Sequence, residues 1–73
     1  VNTKGIFGTR VKELREENGY GLRELAAMLE ISHSALINYE KGERTADIEI
    51  CKKVADIFHV SGDYLLGISN ERR

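Results

Sequence analysis

Every apolar period in this chain is helical, and that limits the fold more than any other feature. No run alternates apolar and polar in the two-residue rhythm of a half-buried strand, and proline is absent from all 73 residues. The apolar side chains instead recur at i, i+3, i+4 and i+7. This predicts an all-α chain of five short helices. The first covers residues 4–18, with Phe7, Val11 and Leu14 on one face and Asn18-Gly19 as its stop. The second covers 22–29 behind Gly21, with Leu22, Leu25, Ala26 and Leu29 inward. The third starts at the N-cap Ser32 and ends at Gly42. Only residues 30–32 join these two, and two short helices connected so tightly form a helix-turn-helix. The fourth runs over 47–58 from the cap Asp47, with Ile48, Cys51, Val54, Ala55 and Phe58 as its core stripe. The fifth runs over 61–66, opened by "SGDY" and closed by Gly67.

A chain this short buries only about 60% of the surface its unfolded form exposes, so a partner subunit would add useful stability. Residues 1–67 read as one domain, and the polar tail 68–73, "ISNERR", is expected to fray. No apolar run is long enough to span a membrane, and no leader precedes the first helix, so neither membrane nor secretory signal is expected. The single cysteine, Cys51, lies on the core stripe, has no metal-ligand spacing around it and fits a reducing, cytoplasmic setting. No cofactor, metal or small-molecule site is evident. His33 and His59 have no carboxylate or thiol placed beside them, so an enzyme is not expected. His59 reads as a surface residue at a helix end.

The segment "ISHSALINYEKGE", residues 31–43, carries the functional question. At about 100° per residue, Ala35, Leu36 and Tyr39 share one side of its helix. His33, Ser34, Ile37, Asn38 and Lys41 share the other. Such a polar face is either a reading surface or an ordinary solvated one. A net charge of −1 speaks against nucleic acid only if the cations are spread evenly. Ile50 and Ile57 extend apolar character around the fourth helix beyond one core face. With Val60 and Ile68 they suggest a dimer contact, or simply scattered exposed side chains.

Four pieces, "FGTRVKELREENG", "LRELAAMLEIS", "NYEKGERT" and "KKVADIFHVSGDYLLG", resemble in order and spacing the phage-repressor and Cro-type helix-turn-helix domains, the XRE family. The resemblance covers more than four-fifths of the chain. It implies a compact five-helix, lambda-repressor-like domain whose third helix lies in the major groove. It also implies a transcriptional regulator, a repressor, bound as a homodimer to a two-fold operator in double-stranded DNA. The alternatives on the same fold are a protein-interaction module and the antitoxin of a toxin–antitoxin pair.

By position, the resemblance places His33, Ser34, Ile37 and Asn38 at base edges, and Ser32, Lys41 and Arg44 at phosphate. It makes Arg15 and Glu40 a structural ion pair. The side-chain chemistry agrees with base reading. Asn38 can bond adenine bidentately, His33 can donate to guanine, Ser34 bonds several bases, and Ile37 can pack on a thymine methyl. Arg10 and Arg23, with Lys4, are further phosphate candidates. The chain departs from the family at Gly21 and Leu22, where a serine or threonine and a glutamine are common. It departs again at Ala46, where proline is usual. A thinner phosphate grip follows from these changes.

Overall fold

The computed structural model describes residues 3–72, with side chains from residue 5 onward. Lys4, as a phosphate candidate, falls outside the described side chains. Five helices follow one another: α1 (Thr3–Glu17), α2 (Leu22–Leu29), α3 (His33–Lys41), α4 (Ile48–Phe58) and α5 (Gly62–Leu66). Among the described residues there is no strand.

The starts of α2, α3, α4 and α5 each have a chemical cause. Ser32 Oγ accepts from Ala35 N at 3.0 Å, Asp47 Oδ1 from Ile50 N at 2.8 Å, and Ser61 Oγ from Tyr64 N at 3.1 Å. These bonds occupy backbone donors that a helix's first turn leaves unpaired. Gly21 has no side chain to do this, so Glu24 reaches back instead and accepts from Gly21 N at 3.3 Å. Helix ends are left-handed residues. Gly42 and Gly67 take that conformation freely, whereas Glu30 (φ 60°) and His59 (φ 57°) take it with full side chains.

The core is one cluster. Phe7, Val11 and Leu14 of α1 meet Leu25 and Leu29 of α2, Leu36 and Tyr39 of α3, Val54 of α4, and Leu65 of α5. Phe7 and Tyr39 meet edge to face with ring centroids 5.8 Å apart. Burying each of these large side chains contributes about 1.5–3 kcal/mol against conformational entropy. The closest approach is between α1 and α3, where Gly8 is buried against the carbonyls of Tyr39 and Glu40. A Cβ at Gly8 would lie 2.2 Å from Tyr39 O and 2.9 Å from Glu40 O.

Two sequence expectations are corrected here. In α4 the inward stripe is Ile50, Cys51 and Val54, with Ile57 and Phe58 packed against it, while Ile48 stays 80% exposed. Ile50 is only 6% exposed. The helix is apolar over so much of its circumference that two stripes of helical period compete. Packing against α2 and α5 decides which one goes inside. The tail, expected to fray, is hydrogen-bonded to α1. Arg10 Nη1 donates to the carbonyls of Tyr64 and of Ser69, the latter at 2.8 Å, and Arg10 Nη2 to Asn70 Oδ1 at 3.0 Å. Arg72 grips Glu17 through both guanidinium nitrogens, at 2.8 and 2.6 Å. The Tyr64 ring has Arg10 4.2 Å and Arg72 5.6 Å from its centroid. The hydrogen bonds from Arg72 raise its basicity and hold the Glu17 carboxyl below the usual carboxylate range.

Candidate nucleic-acid interface

The α2–α3 turn is closed by Glu30 N donating to Ala27 O at 3.1 Å and Ile31 N to Ala26 O at 3.0 Å. Ser32 then caps α3 directly, so one turn of backbone sets the angle between the two helices. Along α3 the two faces separate. Ala35, Leu36 and Tyr39 are buried, Ser34, Asn38 and Lys41 are exposed, and His33 and Ile37 are half-buried. The outward face therefore carries amide, imidazole and hydroxyl groups beside one apolar side chain. That set can match the donor, acceptor and methyl pattern of a major groove.

The base of α3 is fixed by an ion pair. Arg15 Nε donates to Glu40 Oε2 at 2.7 Å and Nη2 to Oε1 at 3.1 Å, while Nη1 donates to Tyr20 O at 3.0 Å. The side chains are 12% and 8% exposed. Hydrogen bonding to Glu40 raises the Arg15 pKa against the opposing effect of burial. The bidentate fork ties the end of α1 to the end of α3 and to the loop before α2.

The phosphate candidates divide. Arg23, Lys41 and Arg44 are exposed, and none of them pairs with a carboxylate among the described residues. The Arg44 guanidinium sits 5.2 Å from the Tyr39 ring centroid, which holds it beside α3. Ser32 is exposed at the head of α3, with its hydroxyl accepting from Ala35 N. Arg10 does not join this group. Its guanidinium is engaged by the tail and α5.

The expected dimer residues also divide. Ile50 belongs to the core, which removes it as a contact, and Ile57 and Val60 are half-buried against that core. Ile68 is 72% exposed. A further apolar groove, of about 290 Å³, lies between α4 and α5, while Met28 and Ile68 are exposed away from it. Ala46, Ile48, Cys51, Ala55, Gly62 and Leu66 line it, with Asp47 and Lys52. Burial there, and then Asp47, raise the pKa of the Cys51 thiol.

Two residues escaped the sequence reading, Gly8 at the α1–α3 crossing and Lys53, which reaches from α4 to the end of α2, and Ile48, expected on the core stripe, lines the groove instead. Gly8 did leave a signal, since a glycine inside a helical period costs about 1 kcal/mol against alanine and so points to a packing demand. Among the described residues no group of three or more His, Cys, Asp or Glu side chains is placed to hold a metal ion. No described helix is long and apolar enough to cross a membrane.

The family model described as helix-turn-helix (HTH_3) matches residues 11–65. The HTH-type transcriptional regulator ImmR of Bacillus subtilis is 42% identical over 61 residues, which is 84% of this chain and 48% of ImmR. The chain thus spans about half the length of that relative. The N-terminal DNA-binding domain of SinR from Bacillus subtilis superposes with a TM-score of 0.77 at 33% identity, covering 85% of this chain and 91% of that one. SinR in complex with DNA is similar at a TM-score of 0.74 and 36% identity, covering 82% of this chain and 97% of that one. With its turn, caps and two-faced third helix, this chain belongs to the XRE-type helix-turn-helix family.

Proposed function

We propose that this chain is a cytoplasmic, sequence-specific DNA-binding regulator, a repressor, that reads the major groove with α3 and pairs as a homodimer on a two-fold operator. The observation that carries this reading is the division of α3. Its inner face is locked into the core, and its outer face presents Ser34, Asn38, His33 and Ile37 beside the unpaired cations Lys41 and Arg44. Discrimination and charge neutralisation are thereby assigned to different side chains. Asn38, His33 and Ser34 read base edges, Ile37 meets a thymine methyl, and Lys41, Arg44, Arg23 and the Ser32 head of α3 hold phosphate. The head of α3 adds positive potential of its own. SinR, similar in sequence and fold, is solved in complex with DNA, which supports DNA as the partner here.

Pairing falls to the α4–α5 groove, where Ile48 and Leu66 leave apolar surface uncovered. Two copies meeting there about a two-fold axis would each cover the other's groove.

Selection of bound duplexes from random DNA tests the reading, followed by a salt titration on the selected sequence. Binding should be at least about 10³-fold tighter than to scrambled DNA. Lys41→Ala should shallow the slope of log K against log salt by about 0.9 per site occupied. Asn38→Ala should cost about 1–3 kcal/mol at one base pair and relax the preference there. A loss that is equal on all sequences removes Asn38 as a reader.

A further inference from the structure

We infer that Lys53 is a positioning residue for the reading helix, an inference that rests on the regulator reading above. From α4 it braces the left-handed turn at Glu30, and so sets the direction in which α3 leaves α2.

Glu30 is the single left-handed residue of the α2–α3 turn, with φ 60° and ψ 38°. An L side chain other than glycine resists that conformation, because its Cβ crowds the following carbonyl. Something must hold it, since Ser32, two residues on, already caps α3. The backbone bonds at Glu30 N and Ile31 N do part of this. Lys53 does the rest from outside the turn. Its Nζ donates to Leu29 O at 3.3 Å and to Glu30 Oε1 at 3.2 Å, with Glu49 Oε1 at 3.9 Å.

The ammonium thus takes up a carbonyl that the end of α2 leaves unpaired. It places positive charge at the negative end of that helix and holds the side chain of the residue that makes the bend. Its stem is half-buried along α4, so the brace starts from a helix already fixed in the core. Lys53 therefore differs in kind from Lys41 and Arg44. Its charge is spent on Glu30, Glu49 and a helix end, and the orientation of α3 is what depends on it.

The test uses Lys53→Met, which keeps the stem and removes the charge, with Lys53→Arg, Glu30→Gly and the Glu30→Gly/Lys53→Met double variant. Affinity is measured for the selected duplex and for a scrambled one across a salt series. Lys53→Met should weaken selected-duplex binding about 5-fold and change scrambled binding by less than about 2-fold. Its salt slope should match the wild type. Lys53→Arg should restore the ratio. In the Glu30→Gly background the Lys53→Met loss should shrink, because glycine needs no brace.

An unchanged selected-to-scrambled ratio in Lys53→Met overturns the inference. So does a salt slope shallower by about one unit, which would make Lys53 a phosphate contact. If wild-type protein prefers no sequence, the regulator reading fails, and amide exchange in the free protein then decides the brace. Faster exchange at the Glu30 and Ile31 amides in Lys53→Met, restored by Lys53→Arg, upholds it. Unchanged exchange there overturns it.

Discussion

Replacing Gly8 with alanine sets local preference against packing, and the structure says packing wins. In an exposed helix interior, Gly→Ala stabilises by about 1 kcal/mol. At Gly8 the added Cβ would stand 2.2 Å from Tyr39 O, 2.9 Å from Glu40 O and 3.0 Å from Glu40 C. The nearest comfortable carbon-to-oxygen contact is about 3.3 Å, so α1 and α3 must part by roughly 1 Å. All three obstacles are backbone, and none can rotate away as a side-chain tip could. Overpacking of this kind costs about 1–3 kcal/mol or more, and the rigid obstacle puts Gly8→Ala at the upper end. Less the propensity gain, the net loss is about 2 kcal/mol. That is a large share of the roughly 4–11 kcal/mol expected for a domain of this size. Urea unfolding followed by circular dichroism should show a lower midpoint at unchanged slope, and the melting temperature should fall by about 8–16 °C. A Gly8→Ala protein as stable as the wild type, or more so, would refute the argument that this contact sets the α1–α3 distance.

Three further outcomes are expected. Glu40→Gln keeps the shape of the Arg15 pair but leaves a largely buried guanidinium without its counter-charge. Stability should fall by about 2–3 kcal/mol, below the usual cost of breaking a buried pair because Tyr20 O still accepts from Arg15, and chemical denaturation measures it. Ile48→Asp places a charge in the α4–α5 groove and should leave a monomer in sedimentation with its helical circular dichroism intact. An unchanged mass moves pairing to another surface. The folded-state pKa of Glu17 is depressed, so its tie to Arg72 is fully present above the ordinary value of 4.5 and is lost as pH falls through the folded value. The Tyr64 ring and Arg72 amide resonances should shift in that acidic range, and Glu17→Gln should abolish the transition.

Element order and the helix-turn-helix were legible because local chemistry determines them. Serine and aspartate at 32, 47 and 61 cap helices wherever they stand before an apolar period, and the structure uses all three. The faces of α3 were legible for a similar reason, since its apolar residues other than Ile37 form one narrow stripe. The orientation of α4 was not. Ile48, Ile50, Cys51, Val54, Ala55, Ile57 and Phe58 satisfy two stripes at once, and only neighbouring helices distinguish them. The role of Arg10 was hidden for another reason. A surface arginine on α1 looks alike in sequence whether it meets a phosphate or the carbonyls of a returning tail nearly sixty residues away.

That reassignment bears on how an acidic chain holds DNA. The cations do not form a general positive field. Arg15, Lys53 and Arg72 are matched to carboxylates, and Arg10 to carbonyls, so each is spent on holding the fold. Among the described residues Arg23, Lys41 and Arg44, like Lys12 and Lys52, are exposed without an ionic partner, and of these Lys41 and Arg44 follow directly on the polar face of α3. The three phosphate contacts proposed for Arg23, Lys41 and Arg44 would give a salt slope of only about −2.7 per subunit, and about −5.4 for the proposed pair. A grip this thin cannot supply much non-specific affinity, so a larger share of binding must come from base contacts and from pairing. The rigidity around α3 then has a purpose that total charge would not reveal. The Gly8 crossing and the Arg15–Glu40 fork both hold the C-terminal end of α3, and the Lys53 brace holds its hinge. A reader with few phosphate anchors depends on a recognition helix that is already held at its reading angle before it meets the groove.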